Sequence, residues 1–168
     1  MKDPMNTQTR TFEWQDPEAG FEAAATMRGI DYLNAMSDGT LPLSPLVKTL
    51  DFKVEEITLG KAIFSFIPQA FHYNPIGSVH GGVLSALLDS AMGCTLHSIL
   101  EAGSIYTTLE LKVNFLKAAN IQSGKLYATG HLIHTGRTTA LVEATITDEQ
   151  GKVYAHGTST CLIKNQTK

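Results

Sequence analysis

The residues best suited to chemistry lie in one stretch, Asn74-Pro75-Ile76-Gly77-Ser78-Val79-His80-Gly81-Gly82, followed by an apolar run that carries a single acid, Asp89. An ionised carboxylate can attack a carbonyl carbon or take a proton from water. Left unpaired among apolar side chains it is costly, so such an acid persists when it is paired, solvated in a cavity or functional. From Val79 to Leu100 the apolar residues Val83, Leu84, Leu87, Leu88, Ala91, Met92, Leu96, Ile99 and Leu100 cover most of a helix circumference, which predicts a buried helix. At about 3.6 residues per turn, Gly82, Ser85, Ala86 and Gly93 fall on the side of Asp89, leaving room beside the acid for another molecule. Gly81-Gly82 opens the first turn to close approach, where unpaired N–H groups and the positive end of the helix dipole favour developing negative charge.

The elements that must hold these groups can be read on either side. Residues 51–58 and 62–68 alternate about a Leu59-Gly60 turn and predict a hairpin. After the long helix come four strand candidates, 105–116, 124–134, 138–147 and 153–163, separated by turns at Asn120–Ser123, Gly136 and Asp148–Gly151. Two strands, one long helix and a run of antiparallel strands fit a curved sheet wrapped around a helix; a single sheet with the helix on one face would give a similar sequence. Ahead of this, Asp16-Pro17 offers a helix start, and Phe21, Ala24, Ala25, Met27, Ile30, Leu33 and Met36 form one helical stripe ending near Asp38-Gly39. The first dozen residues are unpatterned and expected to be disordered or loosely attached, and Pro42 to Pro45 interrupts regular structure.

Asn74, six residues to His80-Gly81-Gly82, then an acid nine residues past the His, is a pattern that resembles the hot-dog-fold acyl-CoA thioesterases of the phenylacetate-degradation type, over roughly residues 50–163. The resemblance implies an α+β hot-dog fold, an antiparallel curved sheet around a long central helix, here with an added N-terminal helix. Residues 1–45 would be the extension and 46–168 the thioesterase domain. The implied activity is hydrolysis of an acyl- or aryl-CoA thioester to free acid and coenzyme A, with no dissociable cofactor. In that scheme Asp89 is the nucleophile or the general base, and the residues leave the choice open. The Gly81 N–H would hold the thioester carbonyl oxygen, Asn74 would lie beside the thioester or the attacking water, and His80 would have a positioning role. Thr108 stands where the family usually has a Ser hydroxyl near the acid; it keeps the donor and adds a methyl. Gly136-Arg137-Thr138 matches a turn that contacts the coenzyme A phosphates, which suits the forked donors of Arg. The resemblance further implies a homodimer with shared active sites, as a dimer of dimers, in which the acid of one subunit faces Asn74 and His80-Gly81-Gly82 of the other.

Each residue also has a plainer reading: Asp89 capping a loop, Asn74-Pro75 forming an Asx-turn, His80 as a satisfied structural histidine, Thr108 as a strand former, Arg137 as a solvated turn residue. At 168 residues, 43% hydrophobic, 17% charged and net −3, the chain reads as one globular domain without a basic patch, so neither nucleic acid nor anionic membrane is an expected partner. Asp89 interrupts the longest apolar run, the N-terminus lacks the core of a secretory signal, and Met5 is an alternative start. Cys94 and Cys161 read as buried thiols of a cytoplasmic protein rather than one disulfide, and the histidines show no metal spacing. Two other functions fit parts of the pattern. A hot-dog hydratase or dehydratase would use His72 with Asp89, and a non-catalytic acyl-CoA-binding module would need no acid, although residues 12–38 are acidic and too few for an attached DNA-binding motif.

Overall fold

The computed structural model describes residues 5–165; residues 1–4, ahead of the alternative start at Met5, lie outside the described residues. Three short helices come first, α1 (Glu18–Thr26), α2 (Gly29–Ser37) and α3 (Pro45–Thr49). The hairpin β1 (Lys53–Thr58) and β2 (Lys61–Phe66) leads to the long helix α4 (Gly81–His97), and β3 (Ser104–Phe115), β4 (Leu126–Thr135), β5 (Thr139–Asp148) and β6 (Val153–Asn165) complete the order expected. All pairings in the sheet are antiparallel, in the order β1-β2-β4-β5-β6-β3, so β1 and β3 are its edges. The helix α4 packs against every strand, the wrapped hot-dog arrangement anticipated from the element order.

Period-two patterning decides which sheet face meets the helix. Along β5 the inward Ala140, Val142, Ala144 and Ile146 are buried, and on α4 Leu84, Leu87, Leu88, Ala91, Met92 and Leu96 meet them. Fully burying a side chain of Leu size contributes roughly 1.5–3 kcal/mol, so this contact fixes where α4 sits. Two small features set its distance. A Cβ on Gly130 of β4 would stand 2.2 Å from Thr95 Oγ1, and Thr95 donates to the Ala91 carbonyl (2.8 Å) while accepting from the Ala62 N–H (3.1 Å). A buried hydroxyl thus ties the helix to β2, and a glycine in β4 lets it come close.

The N-terminal stripe departs from expectation. It is two helices rather than one, because Met27 (φ −93°, ψ 154°) and Arg28 (φ −64°, ψ 144°) turn extended between α1 and α2. The break brings Gly29 onto the end of α4: its N–H donates to the Leu100 carbonyl (2.9 Å), and a Cβ there would lie 1.7 Å from the His97 carbonyl oxygen. A tertiary contact that only glycine permits outweighs the continuity of the stripe. The start of α1 lies one residue later than the Asp16-Pro17 signal placed it: Pro17 rather than Asp16 is the N-cap, and Asp16, just outside the helix, accepts the Glu18 N–H (3.0 Å). The short α3 was not anticipated; Pro45 opens it. Residues 6–16 have no helix or strand, and Arg10 fastens them by donating to the Thr49 and Lys48 carbonyls and lying 3.9 Å over the Phe71 ring. The helix α4 starts at Gly81 rather than Val79, since the Val79 and His80 N–H groups are used by the Ala119 and His72 carbonyls (2.8 Å each). Among the described residues no helix is long and apolar enough to cross a membrane.

Candidate active site

Asp89 lies in the third turn of α4, half-buried, and Thr108 of β3 donates its hydroxyl proton to Asp89 Oδ1 at 3.0 Å. The pairing depends on the strand: Thr108 sits opposite Cys161 of β6, and the register slips between Thr108 and Glu110. Such a bulge re-aims side chains locally. The acid opens into a pocket of about 220 Å³ whose walls include Val54, Ile57, Phe64 and Tyr106, and among the described residues Asp89 is the one charged residue lining it. Burial, then the nearby Asp89 carboxylate, pushes the Cys94 thiol in this pocket up to about 12, so it stays protonated and is no competing nucleophile. The strip of small residues around Asp89 is partly used within the chain, since the Tyr106 hydroxyl would lie 2.1 Å from a Cβ on Gly93. Gly82 is exposed and Ser85, Ala86 and Ser90 are partly so; the strip keeps an open side.

At the first turn, His80 is the N-cap of α4, its Nδ1 accepting the Gly82 N–H at 2.8 Å. This is a helix cap, and it makes the unprotonated Nδ1 the required tautomer. Gly81 faces the Phe115 ring of β3, and a Cβ there would fall 3.0 Å from it. Asn74 engages both ends of its amide in its own loop: Oδ1 accepts from the Ile76 and Ser78 N–H groups (3.1 and 3.2 Å) and Nδ2 donates to Ser78 Oγ (2.9 Å). The Asx-turn is formed, and Asn74 shapes the approach to the helix. Asn74 and Gly81 share a hollow of about 340 Å³ with Phe115 and Lys117. Asp89 does not line it; eight residues along the helix place it about 12 Å further on. One chain therefore brings together Asp89 with Thr108, and separately Asn74 with His80 and Gly81.

The Gly136-Arg137-Thr138 turn joins β4 to β5, held by the Gly136 N–H to the Thr139 carbonyl and the Ile163 N–H to the Thr138 carbonyl (2.8 Å each). Arg137 is exposed. Leu162 of β6 pairs with Thr139 on one side and Thr107 on the other, so this turn stands at the Thr108 end of the sheet. His72 is buried with both ring nitrogens occupied, Nδ1 accepting from the Gln69 N–H (3.0 Å) and Nε2 facing the Leu50 carbonyl (2.9 Å). It does not line the Asp89 pocket. Among the described residues Cys94 and Cys161 are free thiols, and no group of His, Cys, Asp and Glu could hold a metal ion. Residue-by-residue reading missed Tyr106 and Cys94 beside the acid and the cap made by His80; the first two could be found from strand and helix phase once α4 and β3 were paired.

The model of the thioesterase superfamily matches residues 76–155, from the loop before α4 into β6, and leaves α1 to α3 outside it. The 1,4-dihydroxy-2-naphthoyl-CoA hydrolase of Listeria monocytogenes is 30% identical over 123 residues, 73% of this chain and 98% of that protein. Acyl-coenzyme A thioesterase 13 of Mus musculus is 28% identical over 147 residues, 77% of this chain and 100% of that protein. Among solved structures, a phenylacetic acid degradation-related protein from Ralstonia eutropha superposes with a TM-score of 0.71 at 28% identity, over 78% of this chain and 98% of that one. An acid held by a hydroxyl in an apolar pocket, a glycine at the helix start and these likenesses agree: the chain belongs to the thioesterase superfamily, thioester hydrolases of the hot-dog fold.

Proposed function

We propose that this thioester hydrolase acts on acyl-CoA, with Asp89 delivering the attack and the first turn of α4 from a second copy holding the carbonyl oxygen. The observation that carries the reading is Asp89 itself, the one charged residue of its pocket among the described residues, with Oδ1 fixed by Thr108. Thr108 spends its proton on the carboxylate, so its remaining lone pairs can accept from a water that also reaches Asp89 Oδ2. This favours the base role. Asp89 takes a proton as the water oxygen bonds to the thioester carbon, the carbonyl oxygen takes negative charge, and C–S cleavage releases the acid and coenzyme A thiolate, which is then protonated. The Gly81 N–H, at the positive end of α4, is suited to that oxygen.

Two copies complete the site in this reading. Gly81 and Asp89 open to different hollows of one chain, and the 12-residue β3 is an unpaired edge carrying the exposed Leu109 and Phe115. Two-fold pairing along that edge would satisfy its backbone and bring each acid to the other chain's first turn; a dimer of dimers extends the same scheme. Arg137, exposed at the Thr108 end of the sheet, is the proposed contact for the coenzyme A phosphates, with Gly136 and Thr138 shaping its turn. Free Cys94 and Cys161 suit a cytoplasmic, reducing compartment. The hydratase alternative loses its base, because both His72 nitrogens are engaged elsewhere. A colorimetric thiol-release assay over acyl-CoA thioesters tests the reading. Release with one or more of them is expected, and none with any would overturn it.

A further inference from the structure

The pocket beside Asp89 adjoins a larger space. It shares Leu33, Met36, Ser44, Cys94 and Tyr106 with a cavity of about 610 Å³ walled by α1, α2 and the start of α3 on one side and by the ends of α4 and β3 on the other. That cavity falls within the range of ligand pockets, roughly 300–1,000 Å³. Its walls are mostly apolar, with the Tyr32 and Tyr106 phenols, Ser44 and the His97 ring as their polar groups. Among the described residues, none that line it is an acid, a lysine or an arginine. Burial lowers the pKa of His97 and raises those of the Tyr32 and Tyr106 phenols, so all three are neutral at pH 7. At its rim Phe21 is 68% and Leu46 49% exposed, apolar surface that an apolar ligand would cover.

We infer that this cavity is the chamber for the substrate's acyl tail: the chain runs from Asp89 between Leu33, Cys94 and Tyr106 into the space beneath α1 and α2, and the preferred substrates are CoA thioesters of long, uncharged acyl groups. The inference rests on the hydrolase reading and adds the class of acyl group. It gives the N-terminal helices a role, as the wall that selects the tail. The inner pocket of about 220 Å³ holds about seven units of the ~30 Å³ taken by a water molecule, so a butyryl group fits beside Asp89 alone. A dodecanoyl group has to enter the chamber. A tail ending in a carboxylate would be desolvated there with no lysine or arginine to pair with among the described lining residues.

The test measures kcat/KM by thiol release with butyryl-CoA, dodecanoyl-CoA and dodecanedioyl-CoA, which carries a terminal carboxylate. The full-length protein should favour dodecanoyl-CoA over each of the others by at least about tenfold. Two variants then fill the chamber from α1, Ala24→Trp and Gly20→Leu; a Cβ at Gly20 makes an ordinary 3.6 Å contact with the Tyr32 hydroxyl, so the backbone there accepts a side chain. In either variant the dodecanoyl-to-butyryl ratio should fall at least about tenfold. Calorimetric binding of dodecanoyl-CoA to Asp89→Asn protein should weaken in parallel when Ala24→Trp is added. An unchanged ratio in a folded variant, or a full-length protein that prefers butyryl-CoA or takes dodecanedioyl-CoA equally well, overturns the chamber while leaving hydrolysis standing. Cleavage of no CoA thioester overturns the hydrolase reading itself, and the chamber with it.

Discussion

At its first turn α4 offers backbone, and at its third turn it offers one side chain. Gly81 carries no Cβ, lies against the Phe115 ring and follows the His80 cap, so it brings backbone and the positive end of the helix dipole to the hollow it lines. Asp89 stands in an apolar pocket with Thr108 as its hydroxyl partner and supplies the negative charge that the first turn lacks. A group that stabilises an oxyanion and a group that drives attack belong on one reacting carbon, yet a rigid helix holds them about 12 Å apart. The sheet edges show a matching contrast. β1 is six residues long and rich in charge, with Glu55 and Glu56 paired to Lys125 and Lys61, whereas β3 is twelve residues long and exposes Leu109 and Phe115. One edge is protected by charge and the other suits pairing. On the proposed reading, the difference is that of two half-sites that two copies would bring together.

Removing the third-turn charge should have the largest effect. Asp89→Asn keeps the shape and should lower turnover at least ~100-fold in a thiol-release assay, with circular dichroism unchanged; near-normal turnover would remove Asp89 from the chemistry. Damage to the first turn should come next. Gly81→Val puts branched carbon against Phe115 and should cost about 30-fold in kcat. A neutral outcome would show that the first turn only starts the helix. Thr108→Val should cost about tenfold, the equivalent of ~1.4 kcal/mol, and Thr108→Ser should restore most of it, because the donor to Asp89 returns. If Ser and Val behave alike, the hydroxyl contributes only packing.

The stripe of apolar residues through α1 and α2 reads as one helix because nothing local breaks it; Gly29 meeting the His97 carbonyl is a contact between residues far apart in sequence. The strands were readable within two residues because alternation and the turns at Gly60, Gly124 and Gly151 mark them locally, each of these glycines having positive φ. The order of the sheet was not, since β3 crosses to pair with β6. Asp89 stands out as the lone acid of its apolar helix, and its register with Asn74 and His80-Gly81-Gly82 is what marks it as a candidate. Its partner Thr108 lies nineteen residues on, just before a bulge, and came from the family resemblance. For Asn74 the plainer Asx-turn is what the loop contains.

Two smaller effects separate binding from folding. Arg137→Ala should raise KM for CoA thioesters a few-fold, with little change in kcat, and the effect should vanish for pantetheine thioesters, which lack the phosphates Arg137 is proposed to meet. Equal losses for both substrates would make Arg137 structural. His80→Ala removes the cap on Gly82 and should lower stability by about 1 kcal/mol in urea unfolding, whereas His80→Asn, able to cap, should recover it.

The central claim is that the first turn of one copy works with the acid of another, and mixing two broken proteins tests it most directly. Asp89→Asn and Gly81→Val chains are refolded together in equal amounts, with subunit exchange verified by mass spectrometry. If the site is shared, a hybrid dimer gathers both lesions in one site and leaves the other intact. Random pairing gives about half hybrids, so roughly a quarter of all sites should be intact and turnover should rise to about that fraction of the unmutated protein. Turnover no higher than the mean of the two parents, with hybrids present, would place the whole site within one chain and contradict the account.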